Sequence, residues 1–235
     1  MPTVLLTWDQ YATRWSGLHG GVDPRDGSPM MRGWLRLAYR TGRVLARLGV
    51  PPATVTAIGL VLCVLVPLTV RQGTAAPVLG AGLVVLSTVA DSADGAVAVI
   101  TNRVTRLGYV YDAVVDRLGE AAWLCALWLL GAPVWVAVLA GALTWLHEYV
   151  RARATAAGMK GIGTVTLAER PTRAVIAALG LAFAGLGGLA TPELAVGAVT
   201  LAGAAWLLFG LIGLGQLLVA VHLAFRHHAA GGEAD

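Results

Sequence analysis

The chain has 235 residues, 57% of them hydrophobic and only 13% charged, with 17 basic and 13 acidic side chains giving a net charge of +4. Soluble domains carry about 25% charge, so this composition, with a mean hydropathy of +0.73, excludes an ordinary soluble domain and indicates an integral membrane protein. The long apolar stretches do not alternate apolar and polar, which argues against a β-barrel, and the basic residues flank those stretches, so no nucleic-acid partner is expected.

Residues 1–30 are polar and mixed and read as a poorly ordered lead, with Trp8, Trp15 and the Asp23-Pro24-Arg25-Asp26-Gly27 turn at the surface. They lack a basic start, apolar core and small-residue cleavage site, so no signal peptide is expected. Residues 31–48 read as an amphipathic helix. Arg32, Arg36, Arg40, Arg43 and Arg47 recur every three or four residues, and Trp34, Leu35, Leu37, Ala38, Leu45 and Leu48 supply apolar surface. Such a helix suits an anionic membrane interface, with its arginines toward the head groups.

Pro51-Pro52 breaks that helix, and Thr54 can cap the next. Six spans then fit, at 54–71, 76–99, 108–130, 133–154, 173–190 and 194–222, each near the length needed to cross the hydrocarbon. The expected fold is therefore all-α, with six transmembrane helices preceded by an interfacial helix. The domain reading is 1–49 for the lead and juxtamembrane helix, 50–223 for the membrane domain and 224–235 for a tail. With six spans the basic segments fall on one side, leaving only Arg71 opposite. The positive-inside rule makes that side cytoplasmic, with both termini. Cys63 and Cys125 lie among apolar residues and read as inert buried thiols. Gly180, Gly185, Gly187, Gly188, Gly203, Gly210, Gly213 and Gly215 suit close helix contacts, within the chain or across the interface of an expected homodimer.

Four aspartates interrupt this apolar sequence. Asp91 and Asp94 share a helix face near the end of the second span, and Asp112 and Asp116 share one near the start of the third. A loop of about eight residues makes the two spans antiparallel neighbours, so the four carboxylates can meet. Clustered carboxylates repel one another. Magnesium or manganese removes that cost, because hard cations prefer oxygen ligands, and two such ions can stabilise displacement at phosphorus. Gly95 and Ala98 leave space beside the acidic face for a ring or diphosphate. His147 reads as a helix-contact residue and Glu120 as half of a structural pair with Arg117 or His147. His227 and His228 read as surface residues.

The pattern Asp91-x-x-Asp94-Gly95-x-x-Ala98, then Gly108-x-x-x-Asp112-x-x-x-Asp116, resembles the signature of the CDP-alcohol phosphatidyltransferases. The resemblance covers roughly 50–173, and Pro52-Ala53-Thr54-Val55-Thr56 is similar to the family's Pro-Asn-x-x-Thr opening, with Ala53 in place of Asn. It implies that Asp91, Asp94 and Asp112 hold the metals and that Asp116 is a ligand and the general base. It further implies that Gly95 and Ala98 face a cytidine nucleotide, approached by Thr56 and Thr105. The expected reaction passes the phospho-alcohol group of a CDP-linked lipid to a hydroxyl, releasing CMP, with two magnesium or manganese ions. The departure is Val99, where the family has an arginine expected to meet the phosphates. Arg103 compensates if the helix continues one more turn, Arg106 is the other candidate, and either also fits a topology-setting loop residue.

The stretch Gly161-x-Gly163 through Glu169-Arg170-Pro171-Thr172-Arg173 is similar to that of actinobacterial phosphatidylinositol phosphate synthases. This implies Arg153, Arg170 and Arg173 as contacts for an acceptor's phosphate, with inositol phosphate ahead of glycerol phosphate. The competing readings are a divergent member with another CDP-alcohol or no activity, and a cation transporter with an acidic site.

Overall fold

A computed structural model describes residues 5–159 and 166–231, with backbone alone for 227–231. Lys160, Gly161 and Gly163, and the side chains of His227 and His228, lie outside the described residues. The described residues form eight helices and no strand: α1 Trp8–Leu18, α2 Pro29–Arg47, α3 Pro52–Thr69, α4 Ala76–Ile100, α5 Arg106–Leu129, α6 Val134–Ala156, α7 Arg170–Gly188 and α8 Pro192–Gly231. Four of them, α3, α4, α7 and α8, are long and apolar enough to cross a membrane. At 24 and 23 residues, α5 and α6 are also long, but α5 includes Asp112, Asp116, Arg117 and Glu120, and α6 includes Glu148, Arg151 and Arg153.

The chain divides into two compact units, Met1–Val64 with Val85–Gly119, and Leu65–Val84 with Glu120–Asp235. In the first unit, the lead expected to be poorly ordered contains α1. Thr7 Oγ1 accepts from the Gln10 N–H at 3.4 Å, and Gln10 Oε1 accepts from the Thr7 N–H at 2.9 Å. This reciprocal cap satisfies two donors that a helix start leaves free. Tyr11 and Ala12 are buried. The Tyr11 ring lies 5.3 Å from that of Tyr39 on α2 and Trp8 lies 5.7 Å from it, while the Tyr39 hydroxyl donates to the Leu6 carbonyl at 2.9 Å. Trp8 is thus half-buried in an aromatic cluster rather than at an open surface, and burial pushes the Tyr11 phenol up to about 12.

Helix α2 starts at the Ser28 cap, whose Oγ accepts from the Met31 N–H at 3.2 Å, and Gly49 ends it at φ +73°. Only glycine adopts that conformation without strain. Its residues sort onto three faces. Leu35, Ala38, Tyr39 and Gly42 are buried, Arg36, Arg40 and Arg47 form an exposed basic face, and Met30, Leu37, Val44 and Leu48 form an exposed apolar one. Helix α3 repeats Val55, Gly59, Cys63 and Val66 as a buried stripe and exposes Ile58, Val61, Leu65 and Leu68. A helix apolar on both its buried and its exposed faces suits lipid.

In the second unit, glycines let helices approach closely. A Cβ on Gly180 of α7 would sit 2.5 Å from that of Ala202 on α8, one on Gly185 2.6 Å from Val78, and one on Gly213 2.3 Å from Ala168. Internal packing therefore uses these glycines, whereas Gly215 faces open space.

Candidate metal centre

The centre lies in the first unit. Helix α4 ends at Ile100 because Asn102 turns the chain at φ 55°, a left-handed conformation that asparagine tolerates better than most residues. Thr105 then starts α5, its Oγ1 accepting the Gly108 N–H at 3.0 Å. The short reversal joins the segment bearing Asp91 and Asp94 to the one bearing Asp112 and Asp116.

Three carboxylates converge. Asp91, Asp112 and Asp116, all half-buried, each offer an oxygen within 4.8 Å of the others. Two unit charges at that distance repel by about 3 kcal/mol at an effective dielectric near 20. Three carboxylate oxygens are the hard donor set that magnesium and manganese prefer, so the residues present fit such an ion. Asp94 is a fourth carboxylate, on the same helix as Asp91. It is buried, and its Oδ2 accepts the Thr56 hydroxyl at 2.6 Å. The Thr56 oxygen is also 3.2 Å from the Pro52 carbonyl, but a hydroxyl has one proton, and the shorter contact takes it. Arg117 Nη2 approaches Asp116 Oδ2 at 3.8 Å.

The residues expected around a nucleotide divide. Gly95 is exposed, and a Cβ added there would meet nothing within 4 Å. It lies one turn past Asp91, so open space adjoins the acidic face. Ala98 is half-buried one turn past Asp94. Val99 points into the apolar cluster of Leu6, Tyr11, Ala38, Tyr39, Ala96 and Ile100. The expectation that Arg103 extends the α4 face fails, because α4 has already ended and Arg103 sits on exposed turn chain. Arg106 is the exposed first residue of α5. The Thr105 oxygen is engaged in the helix cap.

The basic residues assigned to an acceptor lie in the second unit. Arg153 is exposed near the end of α6. The Arg170 guanidinium is 5.8 Å from the Trp123 ring centre. Arg173 is buried, with Nη1 3.0 Å from Glu120 Oε1. Glu120, expected to pair with Arg117 or His147, has Arg173 as a partner. His147 Nε2 lies 3.0 Å from Thr166 Oγ1, a contact between α6 and the approach to α7.

Glu169, which sequence reasoning left without a role, ties that approach together. Its Oε1 accepts from Arg151 and from the Thr166 N–H and hydroxyl at 3.2 and 3.1 Å. Burial alone raises the Glu169 carboxyl, but the Arg151 hydrogen bond and charge, with the two Thr166 donors, outweigh it and hold the group below its usual value. No periodic spacing marks Arg151 and Glu169 as partners.

The model of the CDP-alcohol phosphatidyltransferase family matches residues 50–225. The chain is 35% identical over 158 residues to a phosphatidylinositol phosphate synthase of Mycolicibacterium smegmatis, covering 63% of this chain and 68% of that one. It is 31% identical over 138 residues to an archaetidylinositol phosphate synthase of Pyrococcus horikoshii, covering 58% and 72%. Among solved structures it resembles Mycobacterium tuberculosis phosphatidylinositol phosphate synthase in complex with manganese and citrate, at TM-score 0.62 and 27% identity over 78% of this chain and 88% of that one. The same enzyme with CDP-DAG bound gives TM-score 0.60 and 26% identity over 77% and 94%.

Proposed function

The chain belongs to the CDP-alcohol phosphatidyltransferase family, and from that premise we propose that it transfers a phosphatidyl group from CDP-diacylglycerol to a phosphorylated polyol. Inositol phosphate is the first candidate acceptor and glycerol phosphate the second. The protein is a metal-dependent membrane transferase of phospholipid synthesis, which leaves the cation-transporter reading without support. The convergence of Asp91, Asp112 and Asp116 within 4.8 Å carries the mechanism.

In this reading Asp91, Asp94, Asp112 and Asp116 would hold two magnesium or manganese ions. When bound, such ions neutralise charge that builds on the phosphoryl oxygens. A carboxylate oxygen of Asp116 takes the proton from the acceptor hydroxyl. The acceptor oxygen forms a bond to the lipid-linked phosphorus, the bond to CMP breaks, and CMP leaves with the electron pair. Thr56 orients Asp94 through their 2.6 Å hydrogen bond. Gly95 and Ala98 admit the cytidine, a role the open space at Gly95 supports, with Thr56, Thr105, Arg103 and Arg106 as flanking contacts. Arg153 and Arg170 are the first candidates for the acceptor's phosphate. Arg173 contributes charge while held by Glu120.

The proposed setting is a cell membrane crossed by α3 to α8, with termini and carboxylates on the cytoplasmic side. There α2 lies in the interface, its apolar face in lipid and its arginines toward anionic head groups. The protein is proposed to act as a homodimer. The burial of Val99 favours a second reading, a member whose CDP-alcohol donor differs from CDP-diacylglycerol. Mass spectrometry of the lipid product after incubating purified protein with CDP-diacylglycerol, magnesium and each acceptor decides between them. Phosphatidylinositol phosphate is expected. Product with glycerol phosphate alone overturns the acceptor, and no product from any acceptor overturns the donor.

A further inference from the structure

Resting on the nucleotide donor proposed above, we infer that Arg43 of α2 supplies a cationic contact to the diphosphate of the CDP-alcohol, on the flank of α4 where Val99 offers none. Val99 is 6% exposed and packed among Leu6, Tyr11, Ala38 and Tyr39. It brings neither charge nor hydrogen bond to a ligand. A diphosphate beside clustered carboxylates needs cations close to it, because phosphates and carboxylates carry the same sign.

Helix α2 packs on α4 in a defined order. At the closest approach, a Cβ on Gly42 would lie 2.7 Å from Ala96 Cβ and 3.1 Å from the Val97 N. On one side of that contact, Leu45 packs on the cluster formed by Val55, Ala93 and Val97. On the other, Tyr39 belongs to the cluster that holds Val99, and Ala46 packs against that cluster. At about 100° per residue, the next α4 residues past Val99 on this second side are Gly95 and Asp91, and the next α2 residue past Tyr39 within one turn is Arg43. Following the two surfaces outward from Gly42 therefore brings Arg43 to the flank of α4 that carries Asp91 and Gly95.

The surroundings of Arg43 agree. Its guanidinium carbon is 5.8 Å from the centre of the Tyr39 ring, part of the Val99 cluster. Its Nε is shielded from solvent and has no hydrogen-bond partner among the described residues. Buried donors are almost always bonded, and a phosphate oxygen is a partner of matching charge and geometry for an arginine fork. Arg36, Arg40 and Arg47 on the same helix are exposed.

The test is calorimetric titration of the purified full chain with CDP in the presence of manganese, for wild type, Arg43→Ala, Arg43→Lys and, as a control, the exposed Arg14→Ala. Loss of a charge-assisted contact raises Kd about tenfold or more in Arg43→Ala, with partial recovery in Arg43→Lys, no change in Arg14→Ala and unaltered thermal unfolding without CDP. Equal Kd values for wild type and Arg43→Ala overturn the role of Arg43 and leave the proposed function standing. Loss of binding in both Arg43 variants together with a lowered unfolding temperature overturns it too, because Arg43 is then a packing residue. Absence of manganese-dependent CDP binding by the wild type overturns the proposed donor and this inference with it.

Discussion

Replacing Glu120 with glutamine tests how the second unit is held together. Glu120 and Arg173 have side chains 1% and 5% exposed, with Oε1 and Nη1 3.0 Å apart. The substitution keeps shape and volume but removes the Glu120 charge from beside the buried Arg173 cation. Breaking a buried pair from one side costs about 3–5 kcal/mol. A glutamine carbonyl that still accepts one hydrogen bond returns about 1 kcal/mol, leaving roughly 2–4 kcal/mol. For a chain of this size that lowers Tm by on the order of 10 °C. The assay is thermal unfolding in detergent, read by the surviving monodisperse fraction on size exclusion, for Glu120→Gln, Arg173→Gln and the double variant. The double variant should lose clearly less than the sum of the singles, with a coupling of about 2 kcal/mol. An unchanged Tm in Glu120→Gln, or strictly additive losses, would refute the reasoning and release Arg173 for a direct role in acceptor binding.

Thr56→Val removes the 2.6 Å hydrogen bond to Asp94, and kcat should fall about tenfold or more, the cost of a bond to a charged group, with Tm nearly unchanged. Steady-state CMP release checks this. Gly42→Val forces a Cβ to within 2.7 Å of Ala96 and 3.1 Å of the Val97 backbone, so it should destabilise the first unit by about 1–3 kcal/mol, visible as earlier cleavage between α2 and α3 in limited proteolysis. The Glu169 carboxyl is held below its usual value by Arg151 and Thr166, so its contribution is full above the unfolded-state value and fades as pH falls through the lower folded one. The Tm gap between wild type and Glu169→Gln should accordingly be constant near neutrality and shrink below about pH 4. A gap that instead shrank on raising the pH from 7 to 9 would contradict the assignment.

Helix positions were legible because their signals are local. Apolar length and the Pro51-Pro52 break sit in the sequence itself, and the expected 76–99 span appears as Ala76–Ile100. The carboxylate spacing was legible for the same reason, since residues three or four apart on a helix share a face. Helix α1 was obscured by its polar composition. The Thr7 and Gln10 cap and the Trp8, Tyr11, Trp15 spacing were present, but the burial that holds α1 comes from Tyr39, far along the chain. The hydrogen bond that holds Asp94 comes from Thr56 on another helix, and the Glu120–Arg173 pair is likewise tertiary. The failed extension through Arg103 had a local warning, since asparagine at 102 followed by threonine at 105 is the chemistry of a reversal and a cap.

The most direct test of the central claim is CMP release from CDP-diacylglycerol by purified protein with inositol phosphate, with and without magnesium, for wild type and Asp116→Asn. The account predicts release by the wild type that stops when the metal is chelated and falls at least a hundredfold in Asp116→Asn, the usual scale of a lost general base. Metal-independent release, or full activity in Asp116→Asn, would contradict it.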